Sequence, residues 1–234
     1  ILESNNEQII IPQKEDMKVD WSGLIVFYLM CVFGLLTLWM LYDLAVKYFK
    51  GKKILEIGCG TGIFSRYLLK KGFDNVVCLD SDERLAPALT NLDPFQIVFD
   101  EAETYLSSIS GKRTFDMIVL HDVLEHLSLE KACAIFRELH KVLNLNGRIL
   151  IRVPNLSSPW GARLFYGTFD HITAYSPDRV MEFARITNFN VIKIVGQKTG
   201  KRRKQFSAKA LQFILSRILP ETPKIWEANI LALL

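Results

Sequence analysis

Short apolar runs alternate along this chain with stretches in which apolar residues recur every three or four positions. The runs at 54–57, 76–79, 97–99, 117–120 and 148–153 have strand length and no helical period. Between them, 64–71, 83–92, 102–108 and 129–143 carry helical spacing. Asn146-Gly147 predicts a turn that ends the last of these helices before the next strand, which Pro154 then ends. Ser176 followed by Pro177 predicts a helix over 176–187. A serine side chain at the N-cap takes up a free N–H, and proline in the first turn has no N–H to leave unpaired. Two further strands are expected at 191–195 and 225–233. Regular alternation of strand and helix predicts an α/β fold, with a parallel sheet covered by helices on both faces.

One segment follows neither pattern. Residues 24–42, LIVFYLMCVFGLLTLWMLY, hold no charge, with Trp21 before them and Trp39 and Tyr42 at their far end. At about 1.5 Å per residue this run spans roughly 28 Å, close to the hydrocarbon thickness of a bilayer. Lys47, Lys50, Lys52 and Lys53 follow it, whereas the preceding segment sets Glu3, Glu7, Glu15, Asp16 and Asp20 against Lys14 and Lys18. The expectation is a transmembrane helix over 21–46, with the domain after it facing the cytoplasm. The run lies too deep in the chain for a signal peptide and lacks a basic leader. The alternative is a soluble chain in which the same helix is buried against the sheet or in an oligomer. The mean hydropathy of +0.17 fits either reading.

The domain plan is then a tail over 1–20, the apolar helix over 21–46 and one domain over 47–234, since 234 residues leave room for one sizeable core plus an accessory segment. A net charge of +4 does not by itself call for nucleic acid. Cys31, Cys59, Cys78 and Cys133 form no CxxC pair, which argues against a disulfide framework or structural zinc and fits a reducing compartment.

The candidate chemistry begins at 53–62, KILEIGCGTG, where a buried strand runs into Gly58, Gly60 and Gly62 and then a helix. Such a loop lets backbone approach a ligand closely, as at nucleotide-type cofactor sites of parallel sheets. Ile63 stands where a dinucleotide loop places its third glycine. Acids end the strands: Glu56 precedes the loop, Asp80 ends the second strand, and Asp100-Glu101 follow the third. A carboxylate at the second position accepts two ribose O–H bonds. Acids around the ligand suit a sulfonium and an amino acid better than a pyrophosphate.

The segments EIGCGTG (56–62), CLDSD (78–82), FDMIVLHDVLEHL (115–127) and LHKVLNLNGRILIRVPN (139–155) resemble the class I S-adenosylmethionine-dependent methyltransferases. The last two are most similar to the branch that holds the ubiquinone-biosynthesis O-methyltransferases. The resemblance covers about 52–195 and implies a Rossmann-like sheet of seven strands, mostly parallel, with an antiparallel last strand. It implies that Gly58, Gly60 and Gly62 pack against the methionine part of S-adenosylmethionine and that Glu56 supports the loop. Asp80 would bind the ribose with help from Ser81 or Asp82, Glu101 with Ala102 would meet the adenine, and His121 would stand beside the methyl group.

Methyl transfer to a hydroxyl needs a base, and His121 and His171 are the candidates. In Asp122-Val123-Leu124-Glu125-His126 the polar residues fall at i, i+3 and i+4, on one face if the segment is helical. With His171 they would make a divalent-ion site for Mg or Zn, similar to that of small-RNA 2′-O-methyltransferases. The alternative is that Glu125 and His126 only brace the helix. An insertion at 156–175 carries Trp160, Phe165, Tyr166, Phe169 and Tyr175, either as an acceptor pocket or as ordinary packing. A second insertion, 197–220, leads from basic residues into an amphipathic helix, read either as a lipid-headgroup contact or as a solvated loop with a helix on its own core.

Together these readings predict a methyltransferase, O-directed as its family branch implies, acting on a small-molecule or lipid-linked, quinone-like or glycan acceptor at the membrane. A soluble sugar or small-molecule methyltransferase and a metal-dependent RNA methyltransferase are the rival enzymes. A non-catalytic cofactor-binding scaffold is the rival from another class.

Overall fold

The computed structural model describes residues 51–198, 200 and 202–234. The expected tail and the apolar helix over 21–46 lie outside the described residues. Among the described residues no helix is long and apolar enough to cross a membrane.

The strands are β1 (Ile54–Ile57), β2 (Val76–Asp80), β3 (Gln96–Phe99), β4 (Phe115–His121), β5 (Leu143–Pro154), β6 (Lys193–Gly196) and β7 (Asn229–Leu233). They form one sheet in the order β3-β2-β1-β4-β5-β7-β6. β7 runs antiparallel to both β5 and β6, and the pairings among β1 to β5 are parallel. The helices are α1 (Ile63–Lys70), α2 (Ala86–Leu89), α3 (Ala102–Ile109), α4 (Leu129–Val142), α5 (Gly161–Phe165), α6 (Pro177–Ile186) and α7 (Arg202–Ile218).

Because side chains alternate across a strand, each central strand feeds two cores. Leu55, Val77, Ile118 and Leu120 pack with Leu106 of α3, Phe136 and Leu139 of α4 and Phe183 of α6. Ile54, Val76, Cys78 and Val119 pack on the other face with Leu68 of α1 and Leu89 of α2. The chain runs outward from β1 to β2 and β3, then crosses back to place β4 on the other side of β1. That reversal opens a crevice at the C-terminal ends of β1 and β4, where open α/β sheets bind ligands.

Three elements depart from the sequence pattern. The helix expected over 83–92 is a 3-10 turn at Glu83–Leu85 followed by the short α2, whose first turn holds Pro87. Proline has no N–H with which to continue an earlier helix. Asn146-Gly147 does not separate α4 from its strand: β5 begins directly at Leu143. The register jumps from Phe115↔Leu143 to Met117↔Arg148, so these two residues lie in a bulge of β5. Asn144 Nδ2 donates to Asp116 Oδ1 at 2.8 Å and ties that bulge to β4. The last strand starts at Asn229 rather than 225. Upstream of it, the carbonyls of Ile225 and Glu227 accept from Asn155 Nδ2 at 3.0 and 3.1 Å, and that of Trp226 accepts from Ser158 Oγ at 2.8 Å. Side chains there replace the ladder. Ser176 caps α6 by accepting from the Arg179 N–H.

Candidate active site

β1 delivers the chain into the glycine loop with every residue buried. Gly58 has φ +69°, and a Cβ there would meet Val123 Cγ2 at 2.5 Å. Gly60 has φ +55°, and a Cβ there would meet nothing within 4 Å. A side chain would thus strike protein at Gly58 and stand in open space at Gly60. Gly62 is the N-cap of α1 and lies against Leu89 and Leu92.

Glu56 lies beneath the loop, 2% exposed, and accepts a hydrogen bond from Ser65 Oγ of α1. Burial is the main cause that pushes its pKa up to about 7; Ser65 works against that shift, and the nearby Asp80 charge adds to it. Asp80, at the end of β2, accepts the Gly60 N–H at Oδ2 (2.8 Å) and the Asp82 N–H at Oδ1 (3.0 Å). Its carboxylate therefore fixes the loop from the neighbouring strand. Gly58, Asp80, Ser81, Asp100, Glu101 and Ala102 share a cleft of about 110 Å³. Val123 and Leu127 line its other side. Lys131 of α4, also in this wall, pairs with Glu101 at 3.1 Å. Three acids against one lysine make the cleft net negative, which suits a cationic ligand rather than a pyrophosphate.

His121 stands apart from that cleft. It ends β4 on the α1 side, its ring edge-on to Phe64 at 4.6 Å between centroids, with Nε2 buried and unpartnered. Desolvation, helped by the Arg152 charge, lowers its pKa to about 4, against a smaller opposing effect of Asp122. It is neutral at pH 7 and a weak base.

The acidic and imidazole residues after β4 do not form one helical face. Asp122 takes φ +53°, and only Leu124–His126 form a 3-10 turn. Arg152 of β5, opposite His121 in register, grips both Asp122 oxygens: Nε donates to Oδ1 at 2.8 Å and the terminal nitrogen to Oδ2. Asp122 is therefore engaged elsewhere. The structure brings the other three expected residues together: Glu125, His126 and His171 each offer a ligand atom, all within 4.8 Å of one another.

This cluster is held by the backbone. The N–H groups of Ile172 and Thr173 donate to the Glu125 carbonyl at 2.6 and 3.0 Å, and Thr173 Oγ1 donates to the Leu127 carbonyl at 2.6 Å. The insertion after β5 is thus stitched onto the turn after β4. His126 Nδ1 faces the Asp170 carbonyl at 3.3 Å and Asp170 Oδ2 at 3.2 Å. His171 Nδ1 faces the Phe165 carbonyl at 2.9 Å. Only acceptors meet these nitrogens, so each Nδ1 is placed to donate, and in the neutral ring that tautomer puts the lone pair on Nε2. Glu125 is 1% exposed with neither carboxylate oxygen hydrogen-bonded. Burial foremost raises its pKa to about 8.

Arg152 and Lys131 complete the site together with Asp170 of the Asp170-His171 pair, and neither Arg152 nor Lys131 stands out in the sequence as a site residue by type or spacing. The register of Arg152 with His121 is the signal that would have found it, and that needs the strand pairing.

The profile of the methyltransferase-domain family matches residues 40–194, more than half of the chain. Over 109 residues the chain is 33% identical to the mitochondrial ubiquinone biosynthesis O-methyltransferase of Schizosaccharomyces pombe, covering 44% of this chain and 38% of that protein. It is 33% identical over 97 residues to an uncharacterized methyltransferase of Alkaliphilus oremlandii, covering 42% of this chain and 43% of that one. The chain thus spans less than half the length of these two curated relatives. A crystal structure of an S-adenosylmethionine-dependent methyltransferase from Archaeoglobus fulgidus shares the fold, with a TM-score of 0.65 and 18% identity over 82% of this chain and 89% of that one. With the family profile covering more than half of its length, the chain belongs to the methyltransferase-domain family, within the class I S-adenosylmethionine-dependent methyltransferases.

Proposed function

We propose that this chain transfers the methyl group of S-adenosylmethionine to a hydroxyl oxygen of a lipid-linked, quinone-like or glycan acceptor at a membrane surface. The observation that carries the acceptor reading is the Glu125–His126–His171 cluster. Its turn lies between Val123 and Leu127, both of which line the donor cleft. The O-methyltransferase activity in the name of the S. pombe relative supports oxygen as the acceptor atom. The uncharged run at 24–42 supports the membrane setting.

Asp80 and Glu101 bind the donor's ribose and adenine, and the glycine loop takes the methionine part. The acceptor oxygen attacks the methyl carbon in line; the O–CH₃ bond forms as the S–CH₃ bond breaks, its electron pair stays on sulfur as a thioether, and the hydroxyl proton passes to a base at the Glu125–His126–His171 cluster. Positioning supplies much of the rate. Two imidazoles oriented through Nδ1 and a buried carboxylate without a hydrogen-bond partner fit a divalent cation, with Glu125, His126 and His171 as its holders. Asp122 does not fit that role, because Arg152 holds it. Such a cation would lower the pKa of an acceptor hydroxyl and fix its position. Two nitrogens with one carboxylate suit Zn better than Mg, which prefers oxygen.

A cation-free reading is favoured by His171 itself: its Nε2 lone pair is available to take the acceptor proton directly. Labelled S-adenosylmethionine offered with host lipid, quinone, glycan and RNA fractions should mark the lipid, quinone or glycan fraction. Label in RNA alone would refute the acceptor class. Loss of turnover with EDTA and in His126→Ala supports the cation; turnover that survives both leaves His171 as the base.

A further inference from the structure

Residues 197–220 contain seven cations, Lys198, Lys201, Arg202, Arg203, Lys204, Lys209 and Arg217, and no acid. Most of them fall on α7, which is barely packed against its own domain: from Arg203 onward only Gln205, Gln212 and Leu215 are half-buried. The helix nonetheless carries large apolar side chains. Phe206, Phe213 and Ile218 are 76%, 61% and 70% exposed. Phe206 and Phe213 are two turns apart on one face, about 100° around the helix from the half-buried Gln205 and Gln212. A helix whose apolar side chains point away from its own core has its partner outside the domain.

We propose that α7 is an interfacial helix that docks this domain on an anionic lipid bilayer. The charge argues for that occupant. A second copy would bring seven like charges against seven, which disfavours self-association through this face. A nucleic acid would match the cations but leave Phe206, Phe213 and Ile218 in water. An anionic bilayer meets both needs: its headgroups take the lysines and arginines, and its acyl layer takes the apolar face.

The topology adds a consequence. α7 connects β6 to β7, and β7 starts beside the C-terminal end of β5. The insertion 156–175 leaves the sheet at that same edge, and its Trp160 joins α7 and Trp226 in lining a cavity of about 340 Å³. Trp160 is itself 56% exposed and Phe169 is fully exposed. The docked edge is therefore the edge that carries the donor cleft. Docking and methyl transfer remain separate questions, because α7 shares no residue with that cleft.

The test is hydrogen–deuterium exchange on the full chain, read over 202–218. The protein is bound to vesicles of pure phosphatidylcholine or of phosphatidylcholine with phosphatidylglycerol. If the segment 24–42 inserts, it holds the chain to both kinds, so the difference between them reports α7. Exchange over 202–218 should slow about tenfold on the anionic vesicles only, and lose that slowing at high salt. The double variants Phe206→Ser with Phe213→Ser, and Lys204→Glu with Lys209→Glu, should abolish it while exchange in β1, β4 and β5 stays unchanged. Equal exchange on both vesicles overturns the proposal. So does protection that is complete in detergent before any lipid is added, which would mean that another part of the chain covers α7. Slowing by an RNA oligonucleotide but not by vesicles would assign the helix to nucleic acid instead. A chain that docks but transfers no methyl group would refute the proposed activity alone; one that transfers methyl to a lipid acceptor with α7 unprotected would refute docking alone.

Discussion

Glu56 is the position at which stability and cofactor binding should pull in opposite directions. Its carboxyl is buried under the glycine loop with a pKa raised from 4.5 to about 7. The unfolded chain releases this proton near pH 4.5, whereas the folded chain holds it until about pH 7. Between those values the folded state binds more protons, so stability falls as pH rises and levels off above 7. The full penalty is about 3.5 kcal/mol, from a rise of about 2.5 in pKa at roughly 1.4 kcal/mol each. For a domain of this size that is about 7–14 °C of Tm.

Glu56→Gln should remove the penalty, since glutamine still offers an oxygen to Ser65 Oγ. Thermal melts of both proteins from pH 5 to pH 8 should nearly coincide at the acid end and diverge toward pH 8, with the variant more stable there. Taking the difference cancels the slope contributed by Glu125, whose pKa is also raised. Ser65→Ala removes the hydrogen bond that holds the Glu56 pKa down and should steepen the loss toward alkaline pH. If the ionised carboxylate serves a cationic donor, the stabilised Gln variant should bind S-adenosylmethionine about tenfold more weakly at pH 8, read by calorimetry, a stability gain at a functional cost. Parallel melting profiles for wild type and Glu56→Gln would refute the buried, proton-holding carboxyl. Unchanged affinity would refute its role toward the donor.

The two central loop glycines should fail in different ways. Gly58→Ala drives a methyl into Val123 and should cost about 2–4 kcal/mol in urea unfolding, partly recovered by Val123→Ala. Gly60→Ala meets nothing in the protein, so it should cost only about 1 kcal/mol of backbone strain while weakening S-adenosylmethionine binding by a hundredfold or more. Asp80→Ala should weaken binding at least tenfold by calorimetry and speed exchange of the Gly60 amide, because the same carboxylate holds that N–H. Arg152→Met should destabilise the chain by about 1–2 kcal/mol in urea, a figure already reduced for the part-exposure of both partners, because it leaves Asp122 unpaired at a positive φ.

The sheet was legible in the sequence because its central strands are buried on both faces and bounded by turn residues or helical spacing. Ile54–Ile57 has nothing but buried positions, and such a run admits few other structures. Legibility failed where the chain meets itself over long separations. Nothing near Asn146-Gly147 announces that Asn144 will bond Asp116 and let β5 start early, so a sound turn signal became a bulge. Nor does the local sequence at 225–228 say that Asn155 and Ser158 will use its carbonyls.

The candidate site divides along the same line. Its donor half is written in consecutive stretches, a loop and the ends of three adjacent strands, so spacing alone finds it. The Glu125–His126–His171 cluster depends on two segments more than 40 residues apart, 122–126 and 170–173, and spacing there misled. The i, i+3, i+4 pattern suggested that Asp122 shares a face with Glu125 and His126, but that holds only on a helix. Arg152, one strand away, fixes Asp122 in a left-handed conformation and starts the turn after it, so the acid nearest in sequence to the cluster is excluded from it. The same exclusion leaves Glu125 as the one carboxylate among the three residues, and a buried carboxylate without a hydrogen-bond donor needs either a proton or a cation. His126 and His171, each oriented by a bond through Nδ1, supply the remaining lone pairs a cation would require. The make-up of the cluster therefore turns on Arg152, a residue that sequence spacing gives no reason to notice.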